Sequence, residues 1–311
     1  MKKYCFGVDV GGTTVKIGLF DREGTILEKW EIPTRKENNG EMILPDVAEA
    51  LQKKMEEKGI GKEEMSGVGI GAPGPIDKNG VVHVAVNLGW GVFNLEERLK
   101  ELCGLPVRAG NDANVAALGE MWKGGGQGYR NLVLVTLGTG VGGGVIIDGH
   151  ALEGSNGAGG EIGHIHIQDE EEDECGCGNH GCLEQYASAT GIVRLANRRL
   201  AATEEDSVLR HTEVSAKSVF DAVKAGDTVA IQIAEQFGEY LGKGLAAIAC
   251  VVNPEAFVIG GGVSKAGDIL FSFIEKNYKK YVFHGSRDAK FELATLGNDA
   301  GICGAAKLVL E

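Results

Sequence analysis

The sequence lacks a long apolar run and an excess of positive charge. It contains no stretch of roughly 20 apolar residues, the length that a membrane-spanning helix requires. Two lysines near the N-terminus are followed by no apolar region typical of a signal peptide. A net charge of −13 disfavours binding to nucleic acid or to anionic membranes. We therefore expect small-molecule ligands, with neither nucleic acid nor membrane as a partner.

The even, paired set of cysteines typical of secreted domains is also absent, because the chain has seven cysteines. Four stand alone in apolar segments and are predicted to be small buried hydrophobic residues: Cys5, Cys103, Cys250 and Cys303. Disulfides are rare in the cytoplasm, and this cysteine usage predicts a cytoplasmic protein. The three clustered cysteines are then better explained by a metal site than by a disulfide: Cys175, Cys177 and Cys182.

Glycine is abundant, with 49 residues, more than twice the usual share of roughly 7%. Two glycine-rich segments form an internal repeat: "GVDVGGTTVKIGLFDREG" at 7–24 and "VTLGTGVGGGVIIDGHAL" at 135–152. Each is predicted to be a strand, a glycine-threonine turn, a second strand and a polar turn. The repeat predicts two similar α/β domains with a cleft between them.

Capping signals place the helices and strands of the first half. Three strands are predicted before residue 34, and an amphipathic helix ends at Gly59. Asn94 and Glu97 begin a second helix, which Gly104 ends. A short strand leads directly into Asn111 and Asp112, where a third helix begins. This pair is predicted either to cap the helix or to act in catalysis, with Asp112 as a general base.

The first glycine turn is neither a dinucleotide motif nor a Walker A loop, since it joins two strands. Its backbone N–H groups, hydroxyl groups and one lysine suit a polyphosphate, and Asp9 suits a Mg²⁺-bound water. The candidate residues are Asp9, Gly11, Gly12, Thr13, Thr14 and Lys16. A glycine-rich hairpin without a ligand is the alternative for this turn alone. The repeated turn at Gly138, Thr139 and Gly140 favours a nucleotide gripped from both sides, and Gly260, Gly261 and Gly262 are candidates for contact with adenosine.

The clustered cysteines follow a histidine with the spacing H-x10-C-x-C-x4-C. Three thiolates and an imidazole suit structural Zn²⁺, while a redox cluster and buried free cysteines are the alternatives. His166 and His180 compete with His164 as the fourth ligand, and strand alternation does not separate His164 from His166. The acidic run at 169–174 is predicted to be a solvated loop.

Several motifs together resemble the ROK family of sugar kinases and sugar-responsive repressors, within the actin–hexokinase–Hsp70 superfamily. They are "DVGGTTVKIGLFD", "LGTGVGGGVIIDG", "GEIGHI" and "CGCGNHGCLE". The resemblance implies two RNase H-like domains and ATP-dependent phosphorylation of a hexose, with Mg²⁺ and structural Zn²⁺. Glucose, phosphorylated at its 6-hydroxyl, is the expected substrate, and N-acetylmannosamine or N-acetylglucosamine is the alternative.

The resemblance also implies the role of each site residue. Asp112 would take the proton of the 6-hydroxyl, and Asn111 would hydrogen-bond a neighbouring hydroxyl. Three further sugar-binding positions are implied by the same motifs: Glu161, His164 and Glu184. The zinc ligand of the "EIGH" motif matches His164. The segments "GAPGPID" and "AVNLGW" resemble the remaining wall of the sugar site, with Asn87 as a candidate contact.

The resemblance suggests a domain division and an assembly. Residues 1–118, with a C-terminal helix at about 297–311, would form a smaller domain holding the first phosphate turn and Asp112. Residues 119–296 would form a larger domain with the second turn and the zinc site. The family implies a homodimer or homotetramer. A sugar-sensing repressor is the less favoured alternative, because Asp9 leaves no room before it for a helix-turn-helix.

Overall fold

The computed structural model describes residues 2–310, and these form two compact units. The first unit comprises residues 2–130, Gly144–Gly160 and 296–310. The second comprises Asn131–Gly143 and Glu161–Thr295. Residues 1 and 311, the outer ends of the predicted domains, lie outside the described residues.

Twelve strands are found in the described residues: β1 (Tyr4–Val10), β2 (Thr14–Asp21), β3 (Ile26–Pro33), β4 (Met65–Ala72), β5 (Val81–Val82), β6 (Phe93–Asn94), β7 (Val107–Asn111), β8 (Leu132–Leu137), β9 (Val141–Ile147), β10 (His150–Ala151), β11 (Ala256–Gly260) and β12 (Lys290–Leu293). The same part of the chain forms ten helices: α1 (Glu37–Gly40), α2 (Ile43–Lys58), α3 (Leu95–Cys103), α4 (Asp112–Lys123), α5 (Glu184–Ala187), α6 (Ala189–Ala201), α7 (Ala216–Lys224), α8 (Thr228–Val252), α9 (Ile269–Tyr281) and α10 (Ala300–Leu308).

The two main sheets have the same topology, which confirms the predicted repeat. The first sheet has the order β3-β2-β1-β4-β7, and the second has the order β10-β9-β8-β11-β12. In the first, β1, β2 and β3 are antiparallel, whereas β4 and β7 run parallel to β1. In the second, β11 pairs in parallel with both β8 and β12. In each sheet, therefore, the glycine turn follows the strand at the centre of the order.

The sequence-based boundary at residue 118 differs from the structural division. It falls inside α4, an unbroken helix that ends at Lys123. The Glu120 carboxylate then accepts hydrogen bonds from the backbone N–H groups of Gly125 and Leu296. Gly144 lies so close to α4 that a Cβ atom there would be 2.6 Å from the Ala113 carbonyl oxygen. These contacts place residues 119–130 and 144–160 in the first unit, which makes it slightly longer than the second.

The predicted caps lie where the helices begin and end. Gly59 and Gly104 adopt the left-handed conformation after α2 and α3. The Asn94 side chain accepts a hydrogen bond from the Glu97 backbone N–H at the start of α3. These caps are local interactions, and the sequence is therefore sufficient to predict them.

Cysteine burial follows the prediction at three of the four isolated positions. Cys5, Cys103 and Cys303 are buried in apolar clusters. Cys250 is exposed, so its predicted burial is wrong. It lies on the outer face of α8, near the end of a helix whose other faces are mostly apolar. Apolar neighbours in sequence do not determine burial, since consecutive helical residues point in different directions.

A search of the helices formed by residues 2–310 finds none with the length and hydropathy needed to cross a membrane. The longest, α8, has 25 residues. Its glutamate and lysine side chains, among them Glu239 and Lys243, form ion pairs instead.

Candidate active site and metal centre

The first glycine turn joins β1 to β2 with its carbonyl groups held inward. The Thr34 backbone N–H donates to the Thr13 carbonyl at 2.9 Å, and the Thr34 hydroxyl donates to the Gly11 carbonyl at 2.7 Å. Gly12 and Thr13 are exposed. Because these two carbonyl oxygens point toward Thr34, the open side of the turn can present N–H and hydroxyl groups. That polarity suits an anion such as a phosphate.

Two carboxylates of the first unit, Asp9 and Asp112, have raised pKa values. Asp9 lies at the end of β1, and Asp112 begins α4 directly after β7. Burial raises the pKa of Asp9 to about 6; the nearby Lys16 opposes this rise, and Asp112 adds to it. Burial also raises the pKa of Asp112, although a hydrogen bond of 2.8 Å from the Ala113 N–H acts against it. A carboxylate with a raised pKa is a stronger proton acceptor than an ordinary aspartate.

Asn111, rather than Asp112, provides the main cap of α4. Its Oδ1 accepts hydrogen bonds from the backbone N–H groups of Ala113 and Asn114 at 3.0 and 3.2 Å. Its Nδ2 donates to the Gly74 carbonyl at 3.1 Å. Capping of α4 thus belongs mainly to Asn111, with Asp112 adding one hydrogen bond from Ala113, and the catalytic role of Asp112 stays a prediction. The second Nδ2 hydrogen of Asn111 is the group that can still donate to a ligand.

The proposed sugar wall lies beside Asn111. Gly74, in the "GAPGPID" segment, has a φ of +91°, and a Cβ atom there would be 2.4 Å from the Val84 carbonyl oxygen. The His83 N–H donates to the Pro75 carbonyl at 3.0 Å. These contacts bring "GAPGPID" and the start of "AVNLGW" together. Asn87 is exposed in a 3₁₀ turn just beyond them.

The second glycine turn joins β8 to β9, and its carbonyl groups are held in the same way. The Ala189 N–H donates to the Gly138 carbonyl at 2.8 Å, and the Thr190 hydroxyl donates to the Thr139 carbonyl at 2.7 Å. A Cβ atom on Gly140 would lie 2.4 Å from Glu184 Oε2. Only glycine can therefore occupy position 140 while Glu184 stays where it is.

The third glycine cluster packs against the strand that leads into the second turn. Gly261 has a φ of +83°, and a Cβ atom there would meet the Leu137 backbone at 2.5–2.6 Å. Gly260 ends β11, while Gly262 is exposed, with no atom near the position of a Cβ. Close packing accounts for Gly261, whereas Gly262 is open to a ligand. The structure thus brings 260–262 and the second turn together.

The four predicted zinc ligands form one cluster in the second unit. The ligand atoms of His164, Cys175, Cys177 and Cys182 all lie within 4.8 Å of one another. Cys177 Sγ is 3.7 Å from Cys182 Sγ, and Cys175 Sγ is 3.7 Å from His164 Nδ1. A tetrahedral Zn²⁺ with Zn–S bonds of about 2.3 Å requires S–S separations of about 3.8 Å. The spacing and the donor set therefore fit a closed, four-ligand zinc site.

The structure shows which of the three candidate histidines lies with the cysteines: His164, and neither His166 nor His180. His164 ends a 3₁₀ turn over Ile162–His164, so the assumption that it shares a strand with His166 is wrong. Both ring nitrogens of His166 are engaged elsewhere, with the His180 carbonyl and with Asp169, each at 2.8 Å. His180 is exposed and lies outside the four-residue cluster.

The imidazole of His164 connects the cluster to the two predicted sugar carboxylates. Its Nδ1 faces Cys175, whereas its Nε2 is 3.9 Å from Glu161 Oε2. Glu184 lies on the cluster side, where its Oε1 accepts from the Cys175 thiol at 3.0 Å and is 3.7 Å from His164 Nδ1. Glu161 is the more exposed of the two carboxylates. Glu161, His164 and Glu184 are therefore contiguous, as predicted for one binding surface.

The acidic run is anchored, which corrects its prediction as a solvated loop. The Glu171 side chain is 1% exposed and accepts hydrogen bonds from the Tyr186 hydroxyl, Arg194 and Arg198. Burial alone would raise the pKa of Glu171, but these donors and the Asp173 N–H lower it to about 2. The other members of the run are exposed. Residue type alone gave no signal for this anchor, because the burial of Tyr186 and its bond to Glu171 are visible only in the structure.

Sequence reasoning missed two further residues near the site. Thr34 fastens the first turn, and Thr190 fastens the second, each from a segment that carries no recognisable motif. The "SAT" sequence at 188–190 has the character of a helix cap, and the Ser188 hydroxyl does accept from the Gly191 N–H. That signal identifies the helix start but not its bond to a turn about 50 residues earlier.

Comparisons with known proteins extend over the whole chain. A profile of the ROK family matches residues 5–311. A glucokinase of Halalkalibacterium halodurans is 46% identical, with 99% of this chain and 96% of that protein aligned. A glucokinase of Streptomyces coelicolor is 38% identical, with 98% and 97% aligned. The crystal structure of a ROK family glucokinase from Streptomyces griseus, in complex with glucose and AMPPNP, is 36% identical, covers 98% of both chains and has a TM-score of 0.74.

Proposed function

Because the chain belongs to the ROK family, we propose that it is an ATP-dependent glucokinase, which transfers the γ-phosphoryl group of ATP to the 6-hydroxyl of glucose. Its fold is that of the ROK sugar kinases, of the actin–hexokinase–Hsp70 type. The observation that carries the proposal is the full-length identity of 46% to a glucokinase. The positions of the site residues support the role proposed for each of them below.

Asp112 is the general base of the reaction. Its carboxylate accepts the proton of the 6-hydroxyl as that oxygen attacks the γ-phosphorus, and the bond from phosphorus to the bridging oxygen of ADP breaks. Burial raises the pKa of Asp112, which strengthens it as a proton acceptor. Its place at the start of α4, next to the capping residue Asn111, limits its movement. Asn111 donates its remaining Nδ2 hydrogen to a neighbouring sugar hydroxyl.

The sugar is also bound by the surface beside the metal cluster. Glu161 and Glu184 accept hydrogen bonds from sugar hydroxyls, and His164 donates from Nε2, the nitrogen that points away from the thiols. Asn87 supplies a further contact from the wall segment. The Cys175 thiol now donates to Glu184 Oε1, and this oxygen would become free for a sugar hydroxyl if metal binding displaced the thiol proton to solvent.

The two glycine turns hold the phosphates of ATP. The N–H groups of Gly11 and Gly138 close their own turns by donating to the Thr14 and Gly140 carbonyls. The remaining backbone N–H groups and the hydroxyl groups of the two turns bind the phosphate oxygens, Lys16 adds positive charge, and 260–262 lies toward the adenosine. Mg²⁺, when bound, neutralises charge on the phosphates, and the oxygen ligands of Asp9 suit a water of its hydration shell. Asp9 is suited to contact that water because it lies at the end of β1, next to the first turn.

His164 Nδ1 and the thiolates of Cys175, Cys177 and Cys182 would hold a structural Zn²⁺ in the proposed enzyme. With four protein ligands, the metal would supply rigidity rather than an open position for substrate. Reduced thiols suit the cytoplasmic location expected from the sequence. A homodimer or homotetramer stays a prediction from the family.

The test is product formation from MgATP with a panel of hexoses, including glucose, N-acetylmannosamine and N-acetylglucosamine. We expect glucose 6-phosphate, identified by mass spectrometry, and the highest kcat/KM for glucose. If kcat/KM is tenfold higher for an N-acetylated sugar than for glucose, the substrate assignment is wrong, but the proposed mechanism still applies. Sugar binding without any turnover would favour the sugar-sensing alternative.

A further inference from the structure

The C-terminal helix α10 packs very closely against the first sheet, which contains β1 and β4. A Cβ atom on Gly7 of β1 would lie 2.0 Å from the Ile302 carbonyl oxygen, and one on Gly69 of β4 would lie 1.6 Å from the Ala305 carbonyl oxygen. Real Cβ atoms do not tolerate contacts below 3.0 Å. The backbone of α10 therefore rests directly on the backbones of two strands.

The opposite face of α10 is held just as tightly by α4. A Cβ atom on Gly304 would lie 1.7 Å from the Val115 carbonyl oxygen, and one on Gly119 would lie 2.2 Å from the Ala300 carbonyl oxygen. Close packing on both faces leaves α10 little freedom to slide or rotate. The register of α10 relative to β1 is therefore well defined.

This register puts Gly301 against the carboxylate of Asp9. A Cβ atom on Gly301 would lie 2.5 Å from Asp9 Cγ, 2.6 Å from Asp9 Oδ2 and 3.0 Å from Asp9 Cβ. Gly301 does not have a positive φ, so the backbone conformation does not require glycine there. Glycine destabilises a helix interior relative to alanine, which means that its presence here needs a packing reason. The Asp9 carboxylate supplies that reason.

We propose that Gly301 is a positioning residue for Asp9: the missing side chain leaves the space in which the Asp9 carboxylate rests, and so sets its place beside the first phosphate turn. The inference rests on the proposed function for the role of Asp9 toward Mg²⁺. A methyl group at position 301 would push the Asp9 carboxylate away from the end of β1, where it would contact the hydration shell of a bound metal. Gly301, about 290 positions from Asp9 in the chain, would thereby affect how tightly the divalent cation binds.

The test measures binding of Mn²⁺, as a paramagnetic substitute for Mg²⁺, to the full chain with AMPPNP present, by electron paramagnetic resonance. We expect Gly301→Ala to weaken Mn²⁺ binding at least tenfold and to change glucose affinity less than twofold. Gly91→Ala is the matched control, because no atom lies within 4 Å of its Cβ position, and it should match the parent.

A double-mutant cycle with Asp9→Ala isolates the contact. Asp9→Ala should weaken Mn²⁺ binding by itself, and adding Gly301→Ala should weaken it by less than twofold more, since the carboxylate is already gone. Additive losses would overturn the proposal, as would a folded Gly301→Ala protein that binds Mn²⁺ as tightly as the parent.

If Gly301→Ala alone does not fold, circular dichroism of the double variant decides the question. Asp9→Ala removes the contacts to Cγ and Oδ2 and leaves the one at 3.0 Å to Cβ, which a shift of a few tenths of an ångström accommodates. The double variant should therefore regain the folded spectrum, and its failure to do so contradicts the proposal. These readouts do not depend on which sugar is phosphorylated. A parent protein that binds Mn²⁺ and AMPPNP but does not phosphorylate glucose would count against the proposed function alone.

Discussion

The two units begin with the same strand–turn–strand segment, but only the first segment carries charged side chains. In the first, Asp9 precedes the turn and Lys16 follows it. In the second, Leu132–Ile147 contains no charged residue. Both turns nevertheless have two carbonyl oxygens engaged by a later part of the chain, Thr34 in one and Ala189 with Thr190 in the other.

The comparison separates two requirements of a phosphate site. If both turns bind phosphate as proposed, each needs its carbonyl oxygens turned away from the ligand, because an outward carbonyl oxygen would repel a phosphate, and in each turn two carbonyl oxygens are held by hydrogen bonds. The proposed function needs charge only in the unit that supplies the general base. The first unit accordingly holds Asp9, Lys16 and Asp112, while the second holds the metal cluster and the carboxylates beside it.

Asp112→Asn should have the largest effect, because it removes the base from the charged unit. The amide keeps the shape of the side chain but accepts a proton poorly, and we expect kcat to fall about 10²–10⁴-fold. Glucose affinity, measured by intrinsic fluorescence, should change little. Retention of more than half of kcat would mean that the base lies elsewhere.

The pH profile of the parent enzyme checks Asp112 together with Asp9, whose pKa burial raises to about 6, and a profile of Asp9→Ala separates the two. Burial raises the pKa of Asp112, and the reaction needs its deprotonated form. The acidic limb of kcat/KM should therefore lie at a higher pH than the value of about 3.9 for a free aspartate, with activity lost as the pH falls. A profile that stays flat down to pH 4 would contradict this assignment.

Cys177→Ser tests the metal cluster of the second unit. It removes one of four ligands, and we expect zinc to be lost and glucose affinity to fall about 10–100-fold. The affinity for ATP should change less than threefold, since both phosphate turns lie outside the cluster. Elemental analysis should find about one zinc per chain in the parent and in the exposed-cysteine control Cys250→Ser. A zinc-free parent, or a zinc-free variant that binds glucose normally, would refute the idea.

Lys16→Ala tests whether charge really distinguishes the two turns. Loss of a charge-assisted contact to phosphate should raise the KM for ATP about tenfold and leave the KM for glucose nearly unchanged. Thr139→Ala in the uncharged turn should raise the KM for ATP only about twofold, because the Thr139 backbone remains. Equal increases in the KM for ATP in the two variants would mean that charge does not distinguish the turns. If Lys16→Ala changes only the KM for glucose, the first turn does not bind ATP.

Glu171→Gln should have the smallest effect on catalysis, because it acts on the anchor of the acidic run. We expect the free energy of unfolding to fall by about 2 kcal/mol at pH 7, since a buried charged hydrogen-bond network is weakened, with kcat within twofold of the parent. The pKa of Glu171 is lowered to about 2, so its stabilising contribution is complete above pH 4.5 and declines as the pH falls toward 2.

Urea denaturation between pH 7 and pH 3.5 checks this prediction. The difference between the parent and Glu171→Gln should shrink below pH 4.5. Glu172→Gln, a neighbouring exposed position, is the control and should match the parent throughout. A variant as stable as the parent at pH 7 would mean that the anchor contributes nothing.

Local patterns were enough for the parts of the molecule whose interactions are short in sequence. The repeated segments predicted two similar α/β domains, which the equal strand orders of the two sheets match, and Asn94, Gly59 and Gly104 predicted where helices begin and end. The metal cluster was predictable because three of its ligands lie within eight positions. Strand β12 was missed, since alternating charged and apolar residues over four positions are a weak signal.

What the sequence by itself determined is the family, the repeat, the residues available for chemistry and the donor set of the metal. Only the tertiary structure decided which of them are joined across long separations: Glu171 to Arg194, Thr34 to the first turn, and Gly301 to Asp9. The physical reason is that burial and steric exclusion depend on packing between distant segments, and residue type alone does not specify which segments meet. A glycine in a helix and a glutamate in an acidic run look unremarkable until their neighbours are known.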